Sequence, residues 1–152
     1  MDNQTIYALS TVMGKSGVAV IRVSGAEARE TIYRMTDIDI GRLKPRYAYF
    51  ANLYSVPERQ LLDKCLLLYF KAPFSFTGED IVELQIHGSR AVISGVISSL
   101  AQIPGFRLAE PGEFSKRAFY NGKMDLTQAE GLADLIDAET AEQQKYAMRQ
   151  ME

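Results

Sequence analysis

Apolar and polar positions along the chain follow two different periods, which together predict a mixture of strands and helices. Runs rich in β-branched and aromatic residues predict strands, because such side chains suit a pleated, half-buried surface. The continuous apolar stretch from Cys65 to Phe70 further predicts a strand that is covered on both faces. The strands are expected at residues 5–10, 18–23, 47–54, 64–70 and 81–86.

Helical periodicity predicts the elements between and after these strands. The sequence Ser24-Gly25-Ala26-Glu27 has the spacing of a capping box, so a helix is expected to begin at Ser24. A second helix is expected from about Ser89 to Gln102, where apolar residues recur on one face. A third helix is expected to follow Pro111-Gly112-Glu113 and to end at the left-handed stop Asn121-Gly122.

These elements predict the α+β fold class, with a mixed β-sheet and flanking helices over residues 1–120. The final residues, 121–152, carry helical signals only, beginning with a helix start at Asp125-Leu126-Thr127-Gln128. Few large apolar side chains follow Ile136 in this segment. We therefore expect it to be the truncated start of a helical domain whose packing partners lie outside this chain.

Composition limits the classes of function. The formal net charge of −2 gives no general attraction for a nucleic-acid backbone, so this segment is not expected to hold RNA. The single cysteine, Cys65, excludes an internal disulfide and indicates a reducing compartment. Its apolar surroundings predict a buried core thiol rather than a nucleophile.

Metal, membrane and secretion signals are weak or missing in the sequence. His87 and Cys65 are the only histidine and cysteine, so no zinc site is expected and no metal site is predicted, although carboxylates could hold a harder ion. No stretch approaches the roughly 18 apolar residues of a membrane span, and the N-terminus does not resemble a signal peptide. A cytoplasmic protein without membrane contact is expected.

Gly14-Lys15-Ser16 looks like the end of a phosphate-binding P-loop, but the rest of that motif is missing. The motif needs a glycine where this chain has Leu9, and it must lead into a helix. Here Gly17 leads into an apparent strand instead. We interpret the segment as a connection between two strands that does not bind GTP.

Two charged residues within strands need partners. Alternation places Arg22 on the same face as Val18 and Val20, and an unpaired, desolvated guanidinium is costly. Glu83 likewise lies within a strand, and a pocket carboxylate suits a ligand with two adjacent N–H donors. A strand-end arginine in water remains equally consistent with the local pattern. For Glu83, the local pattern leaves a pterin, a purine and a plain Arg22–Glu83 ion pair open.

Two further residues are weaker candidates. His87 stands between a strand end and a helix start, where free amides favour an anion, although a histidine in a turn is more often structural. Lys123 follows the Asn121-Gly122 stop and is placed to reach back over a ligand. Taken alone, it is an exposed lysine.

Four segments of the chain form a characteristic series: IRVSG at 21–25, APFSFTGEDIVE at 72–83, LAEPGEFSKRAF at 108–119 and NGKMDLTQAE at 121–130. Together they resemble the motifs of tRNA-modification GTPases of the MnmE (TrmE) family, and they occur in family order over most of the chain. One departure concerns the loop after the Glu83 strand, where the family commonly has His-Gly-Gly-Pro and this chain has His87-Gly88-Ser89-Arg90.

The resemblance implies a domain related to the folate-binding domain of glycine-cleavage aminomethyltransferases. It implies that Arg22, Glu83 and Lys123 bind a tetrahydrofolate derivative, either 5-formyl- or 5,10-methylene-tetrahydrofolate, and that the domain forms a homodimer. The whole protein would modify the wobble uridine of tRNA together with an MnmG-type flavoprotein. GTP, Mg²⁺ and K⁺ would belong to a GTPase domain beyond Glu152, which leaves no catalytic residue in this fragment.

Two alternatives remain at this point. One is a stand-alone folate-dependent aminomethyltransferase, although the motifs after Pro111 and the helical tail argue against it. The other is a purely architectural dimerisation domain whose pocket no longer binds a ligand.

Overall fold

A computed structural model describes residues 3–10, 17–125, 127–128 and 131 of the chain. These residues form one mixed sheet with three α-helices and a short 3₁₀ helix at Ile40–Arg42. The strands are β1 (Thr5–Leu9), β2 (Val18–Ser24), β3 (Tyr49–Tyr54), β4 (Leu61–Phe70), β5 (Ile81–His87) and β6 (Phe106–Leu108). The helices are α1 (Glu30–Met35), α2 (Arg90–Ala101) and α3 (Glu113–Tyr120).

The six strands lie in the order β3-β4-β5-β2-β1-β6. All neighbouring pairs are antiparallel except β1 and β6, which run parallel. The α+β class predicted from the sequence is therefore confirmed. The order also places β2 beside β5, which brings two segments about sixty residues apart into register.

The hydrophobic core lies on one face of the sheet. Helix α2 packs against β4, β5 and β6, and α1 packs against β3. The largest fully buried side chains of the core come from strands and helices alike, and they include Ile21, Ile32, Met35, Leu53, Leu67, Leu84 and Leu100.

The prediction that Cys65–Phe70 is covered on both faces is wrong. Cys65, Leu67 and Tyr69 are buried, whereas Leu66 between them is 41% exposed. The cause is the one-sided layer of helices, which covers alternate side chains of β4 only. The run is continuous in composition, but its burial alternates.

The prediction of a helix that begins at Ser24 is also wrong, because Ser24 is the last residue of β2 and α1 begins at Glu30. The hydroxyl of Ser24 contacts the hydroxyl of Thr77 at 2.7 Å and donates to Glu79 at 2.9 Å. These partners, more than fifty residues away, replace the local capping bonds that the sequence pattern indicated.

The remaining helix predictions agree with the structure. Ser89 is the N-cap of α2 and accepts a hydrogen bond from the amide of Val92 at 3.2 Å. The serine that departs from the family pattern thus supplies this cap. Helix α3 begins after Gly112 and is followed by Gly122 at φ 73°, as the stop motif predicts.

Asp125 and Gln128 form the helix start predicted for the tail. The amide of Gln128 donates to Asp125 Oδ1 at 2.8 Å, and the amide of Asp125 donates to Gln128 Oε1 at 3.0 Å. The helix predicted beyond them lies almost entirely outside the described residues. So does Gly14-Lys15-Ser16, although the residue after Gly17 does begin a strand, β2.

Among the residues that the structure describes, no helix is both long and apolar enough to cross a bilayer.

The fold requires a glycine at position 25. The φ of Gly25 is +149°, which favours glycine, and a Cβ there would lie 2.5 Å from Thr5 Oγ1 and 2.7 Å from Thr5 Cα. A side chain at this position would therefore clash with Thr5. We expect Gly25→Ala to lower the free energy of unfolding by about 2–4 kcal/mol in urea denaturation.

Gly105→Ala is the matched control, because Gly105 is also left-handed but has nothing within 4 Å of its Cβ position. It should cost only about 1 kcal/mol of backbone strain. Equal losses for the two variants would contradict the steric explanation.

Candidate functional site

Arg22 and Glu83 meet on the sheet face opposite the core. They are register partners on β2 and β5, with Arg22 Nη2 3.4 Å from Glu83 Oε1. Their side chains are 30% and 18% exposed, so the pair is half-buried. Leu68 of β4 is the register partner of Glu83 on the other side, which gives the pair an apolar neighbour.

The Glu83 carboxylate keeps unused hydrogen-bonding capacity. Its Oε1 contacts Arg22 at 3.4 Å, and its Oε2 accepts from Gln85 Nε2, also at 3.4 Å. Charge-assisted bonds are normally about 2.7–2.9 Å long, and a carboxylate has about four acceptor sites. Both contacts are therefore long, and a ligand with better-placed N–H donors can compete for both oxygens.

The loop between β4 and β5, residues 71–80, forms one wall of the site. Phe76 lies in this loop, with its ring centroid 5.7 Å from the guanidinium carbon of Arg22. An aromatic ring beside the ion pair gives a flat surface on which a ligand ring can stack.

Lys123 reaches the same loop from another direction. Its Cε lies 3.4 Å from the position where a Cβ on Gly78 would stand, and its amide donates to Ala118 O at 2.8 Å. Lys123 makes no hydrogen bond to Arg22 or Glu83. The structure thus brings Arg22 and Glu83 together directly, and places Lys123 beside Gly78, which is two residues after Phe76 in the loop.

A buried arginine holds this loop in place. Arg117 of α3 is 1% exposed and contacts both carboxylate oxygens of Glu79, at 3.1 and 3.3 Å. It also donates to the carbonyl of Gln4 at 2.8 Å. Asn121 adds a bond from its Nδ2 to Thr77 O at 2.8 Å. Helix α3 and its stop therefore fix the loop that carries Phe76.

Glu113 connects this cluster to β6. Arg107 donates to both Glu113 oxygens, at 2.8 and 2.6 Å, and Arg117 Nη2 lies 3.5 Å from Oε2. The hydrogen bonds from Arg107 lower the pKa of Glu113 below its ordinary value of 4.5, against the opposing effect of burial. Glu113 is thus ionised at neutral pH and stabilised in that form.

The structure gives His87 a partner that the sequence did not indicate. Its Nδ1 lies 2.7 Å from Asp63 Oδ1, and its amide donates to Asp63 Oδ2 at 2.8 Å. Asp63 thereby orients the imidazole at the start of α2. This arrangement lies at the opposite end of β5 from the loop that carries Phe76.

Cys65 is buried, as predicted. Burial, with a smaller contribution from the charge of Asp63, raises the pKa of its thiol to about 12. The thiol is protonated at neutral pH and is not suited to nucleophilic attack.

A family model described as the N-terminus of the GTP-binding protein TrmE matches residues 5–123. The chain belongs to the TrmE N-terminal family. The matched residues include Arg22, Glu83 and Lys123, as well as the loop of residues 71–80 and Arg117, which holds that loop.

Curated relatives of this TrmE-family chain agree with the assignment. The tRNA modification GTPase MnmE of Parvibaculum lavamentivorans is 53% identical over 149 residues, which is 98% of this chain and 34% of the relative. MnmE of Wolbachia pipientis from Culex pipiens is 55% identical over 150 residues, 98% of this chain and 33% of the relative. The mitochondrial tRNA modification GTPase gtpbp3 of Dictyostelium discoideum is 51% identical over 152 residues, 97% of this chain and 30% of the relative. The chain thus spans about a third of the length of these relatives.

Sequence reasoning named Arg22, Glu83 and Lys123 as candidates, but it did not predict that Phe76 and Gln85 contact the Arg22–Glu83 pair. The available signal for Phe76 was its place in the segment between β4 and β5, which is rich in aromatic and turn residues. Gln85 shares the face of Glu83 by strand alternation, which the sequence did show. Its hydrogen bond to the carboxylate was not part of the prediction.

The lowered pKa of Glu113 gives a pH prediction. A carboxyl group with a lower pKa in the folded state stabilises the fold above its unfolded pKa, and this contribution is lost as pH falls through the folded pKa. We expect Glu113→Gln to reduce the free energy of unfolding by about 2–4 kcal/mol at pH 7, and to flatten its decline between pH 5 and about pH 2. Urea denaturation across this range measures both effects.

Glu110→Gln is the control, since Glu110 is an exposed acid three residues away. It should leave both the stability at neutral pH and the acid slope close to those of the wild type. A Glu113→Gln variant with the full wild-type slope would contradict the role of Glu113.

Proposed function

We propose that this chain is the tetrahydrofolate-binding and dimer-forming N-terminal module of a tRNA-modification GTPase. Arg22, Glu83 and Lys123 hold the folate derivative that donates a one-carbon unit. The observation that carries this proposal is the half-buried Arg22–Glu83 pair, whose carboxylate has two hydrogen-bond contacts among the described residues, both 3.4 Å long.

The chemistry of the pair fits a pterin ring. A pterin presents an exocyclic amine beside a ring N–H, and a carboxylate accepts two such parallel donors in a bidentate manner. Glu83 has both oxygens available for this exchange, and Phe76 offers a ring for stacking. Lys123, beside the same loop, suits the anionic glutamate portion of a folate.

The same proposal includes a relation between this fold and the folate-binding domain of glycine-cleavage aminomethyltransferases. GTP hydrolysis, with Mg²⁺ and K⁺, is assigned to the GTPase domain beyond this chain. The relatives' name as tRNA modification GTPases supports this division, because the chain spans only about a third of them. In the whole protein, an MnmG-type flavoprotein is the proposed partner for modification of the wobble uridine.

The two alternatives are less well supported. A stand-alone aminomethyltransferase does not account for the TrmE family match over residues 5–123. A purely architectural domain has no need of a carboxylate with unused acceptor capacity beside an aromatic ring.

The folate proposal predicts a specific effect of one charge. We expect the chain to bind 5-formyl-tetrahydrofolate in isothermal titration calorimetry. Glu83→Gln should weaken this binding by about 1–3 kcal/mol, because an amide offers one acceptor and no charge to the pterin donors.

Glu30→Gln is the matched control, since Glu30 also pairs with an arginine, Arg34 at 3.0 Å, but on the exposed surface of α1. It should bind folate like the wild type. A folded wild-type chain with no detectable heat of binding would refute the ligand assignment.

Dimerisation is supported by exposed apolar side chains on the sheet face that carries Arg22. Phe50 and Leu66 are register partners on this face, and both are exposed. Val18 of β2 is exposed there as well. A second copy of the chain against this face would remove these side chains from water.

Light scattering after size exclusion tests the dimer. We expect a dimer mass at high protein concentration, and we expect Leu66→Glu to shift the sample towards monomer because it buries a charge in the interface. Tyr33→Ala is the control, since Tyr33 is an exposed aromatic residue on α1, which packs against the opposite face. Wild type that stays at monomer mass would remove the dimer from the proposal.

A further inference from the structure

A second group of charged and aromatic side chains lies at the corner of the sheet where β4 ends. We call it the corner patch and define it by five residues. Two segments meet there, because the amide of Arg46 donates to Tyr69 O at 2.7 Å. The residues are Lys44, Arg46, Tyr47, Lys71 and Phe74.

The cations of the corner patch lack acidic partners. Across the described ranges, none of Lys44, Arg46 and Lys71 forms an ion pair with a carboxylate. Asp80 lies beside this segment, where it accepts a hydrogen bond from the amide of Ala72 at 2.8 Å and also hydrogen-bonds Tyr69. Its single negative charge leaves the three cations in excess, which favours an anion at the patch.

Arg46 and Lys71 share a cleft. Together with Pro45 and Phe74 they line a cavity of about 350 Å³ that opens to solvent. Arg46 sits there with a left-handed backbone, φ 60°, which is unfavourable for a residue with a side chain. Strain of this kind is found mainly where surrounding structure holds a residue for a purpose, and here it directs a guanidinium to the rim of a cleft.

The aromatic members are exposed beside these cations. Phe74 is 74% exposed and lines the same cleft. Tyr47 is exposed as well, with Lys44 Nζ 6.0 Å above its ring and the ring of Tyr49 5.2 Å away. Exposed rings of this size are costly in water unless a partner covers them.

Cations interleaved with exposed rings match the chemistry of single-stranded nucleic acids. Phosphates contact the cations, and unpaired bases stack on the rings. We propose that the corner patch binds a single-stranded segment of RNA, with phosphates at Arg46 and Lys71 and a base on Phe74. The choice of RNA over DNA rests on the proposed function in tRNA modification.

The proposal departs from the expectation that this segment does not hold RNA, which rested on the net charge of the whole chain. A net charge of −2 averages the whole chain, whereas a nucleic-acid contact depends on the local arrangement of charges. The patch is separate from the Arg22–Glu83 pair and uses none of its residues.

The test is fluorescence anisotropy with a labelled single-stranded oligoribonucleotide at low ionic strength. We expect the wild type to bind it, and we expect Lys71→Glu and Arg46→Glu each to weaken binding about tenfold or more. Phe74→Ala should weaken binding about fivefold or more through lost stacking. Loss of one phosphate contact should reduce the steepness of the logarithmic salt dependence by about 0.7.

Lys116→Glu is the matched control, because it makes the same charge change at an exposed lysine on α3. It should bind RNA nearly as well as the wild type. Equal weakening by Lys116→Glu and Lys71→Glu, equal affinity for duplex RNA of the same length, or no binding by the folded wild type would overturn the proposal.

Folate binding by the same proteins separates this inference from the proposed function. Lys71→Glu and Arg46→Glu should bind 5-formyl-tetrahydrofolate like the wild type. A chain that binds RNA at the corner patch but binds no folate would refute the folate assignment alone. A chain that binds folate but no RNA would refute the corner patch alone.

Discussion

The candidate site depends on the ion pair between the buried guanidinium of Arg117 and Glu79, which holds the loop beside the site. A charge that is 1% exposed is tolerated when it is paired, and both terminal nitrogens of Arg117 have partners, in Glu79, Glu113 and the carbonyl of Gln4. These partners come from the loop, from α3 itself and from the residue before β1. The arginine therefore ties the loop of residues 71–80 to the sheet and to α3, and this loop supplies Phe76 and the neighbour of Lys123.

A second constraint is the one-sided coverage of the sheet. Helices α1 and α2 bury one face, which leaves the other to carry the Arg22–Glu83 pair and exposed apolar side chains such as Leu66. A half-buried charged pair and open apolar surface on a shared face suit a site completed by a ligand and by a second protein surface. The physical arrangement therefore favours this face as the place of the candidate site.

The sequence predicted the elements whose signals are local. Helix α2 and the paired strands β2 and β5 follow from periodicity, and the α+β class follows from them. Prediction from the sequence failed where distant partners compete with local ones. Ser24 lies in a capping-box pattern, yet its hydroxyl hydrogen-bonds Thr77 and Glu79 instead of a local amide. Strand β6 has only three residues, too few for a period to be visible.

The candidate site was predictable in its residues but not in its geometry. Local pattern left Arg22 equally consistent with solvent and with a partner, because the pairing with Glu83 spans 61 positions and depends on the order of strands. Family motifs named Lys123 as well, but its position beside Gly78 depends on the fold of the stop after α3. The corner patch was missed for a related reason, since its two segments join only in three dimensions.

The central claim, that folate binds at the Arg22–Glu83 pair, is tested most directly by locating the ligand. Backbone amide NMR spectra of the isotopically labelled chain, recorded during titration with 5-formyl-tetrahydrofolate, provide this information. The account predicts that the largest shifts fall on Arg22, Glu83 and Phe76, with smaller shifts at Lys123. Saturable shifts concentrated elsewhere, with these amides unchanged, would contradict it.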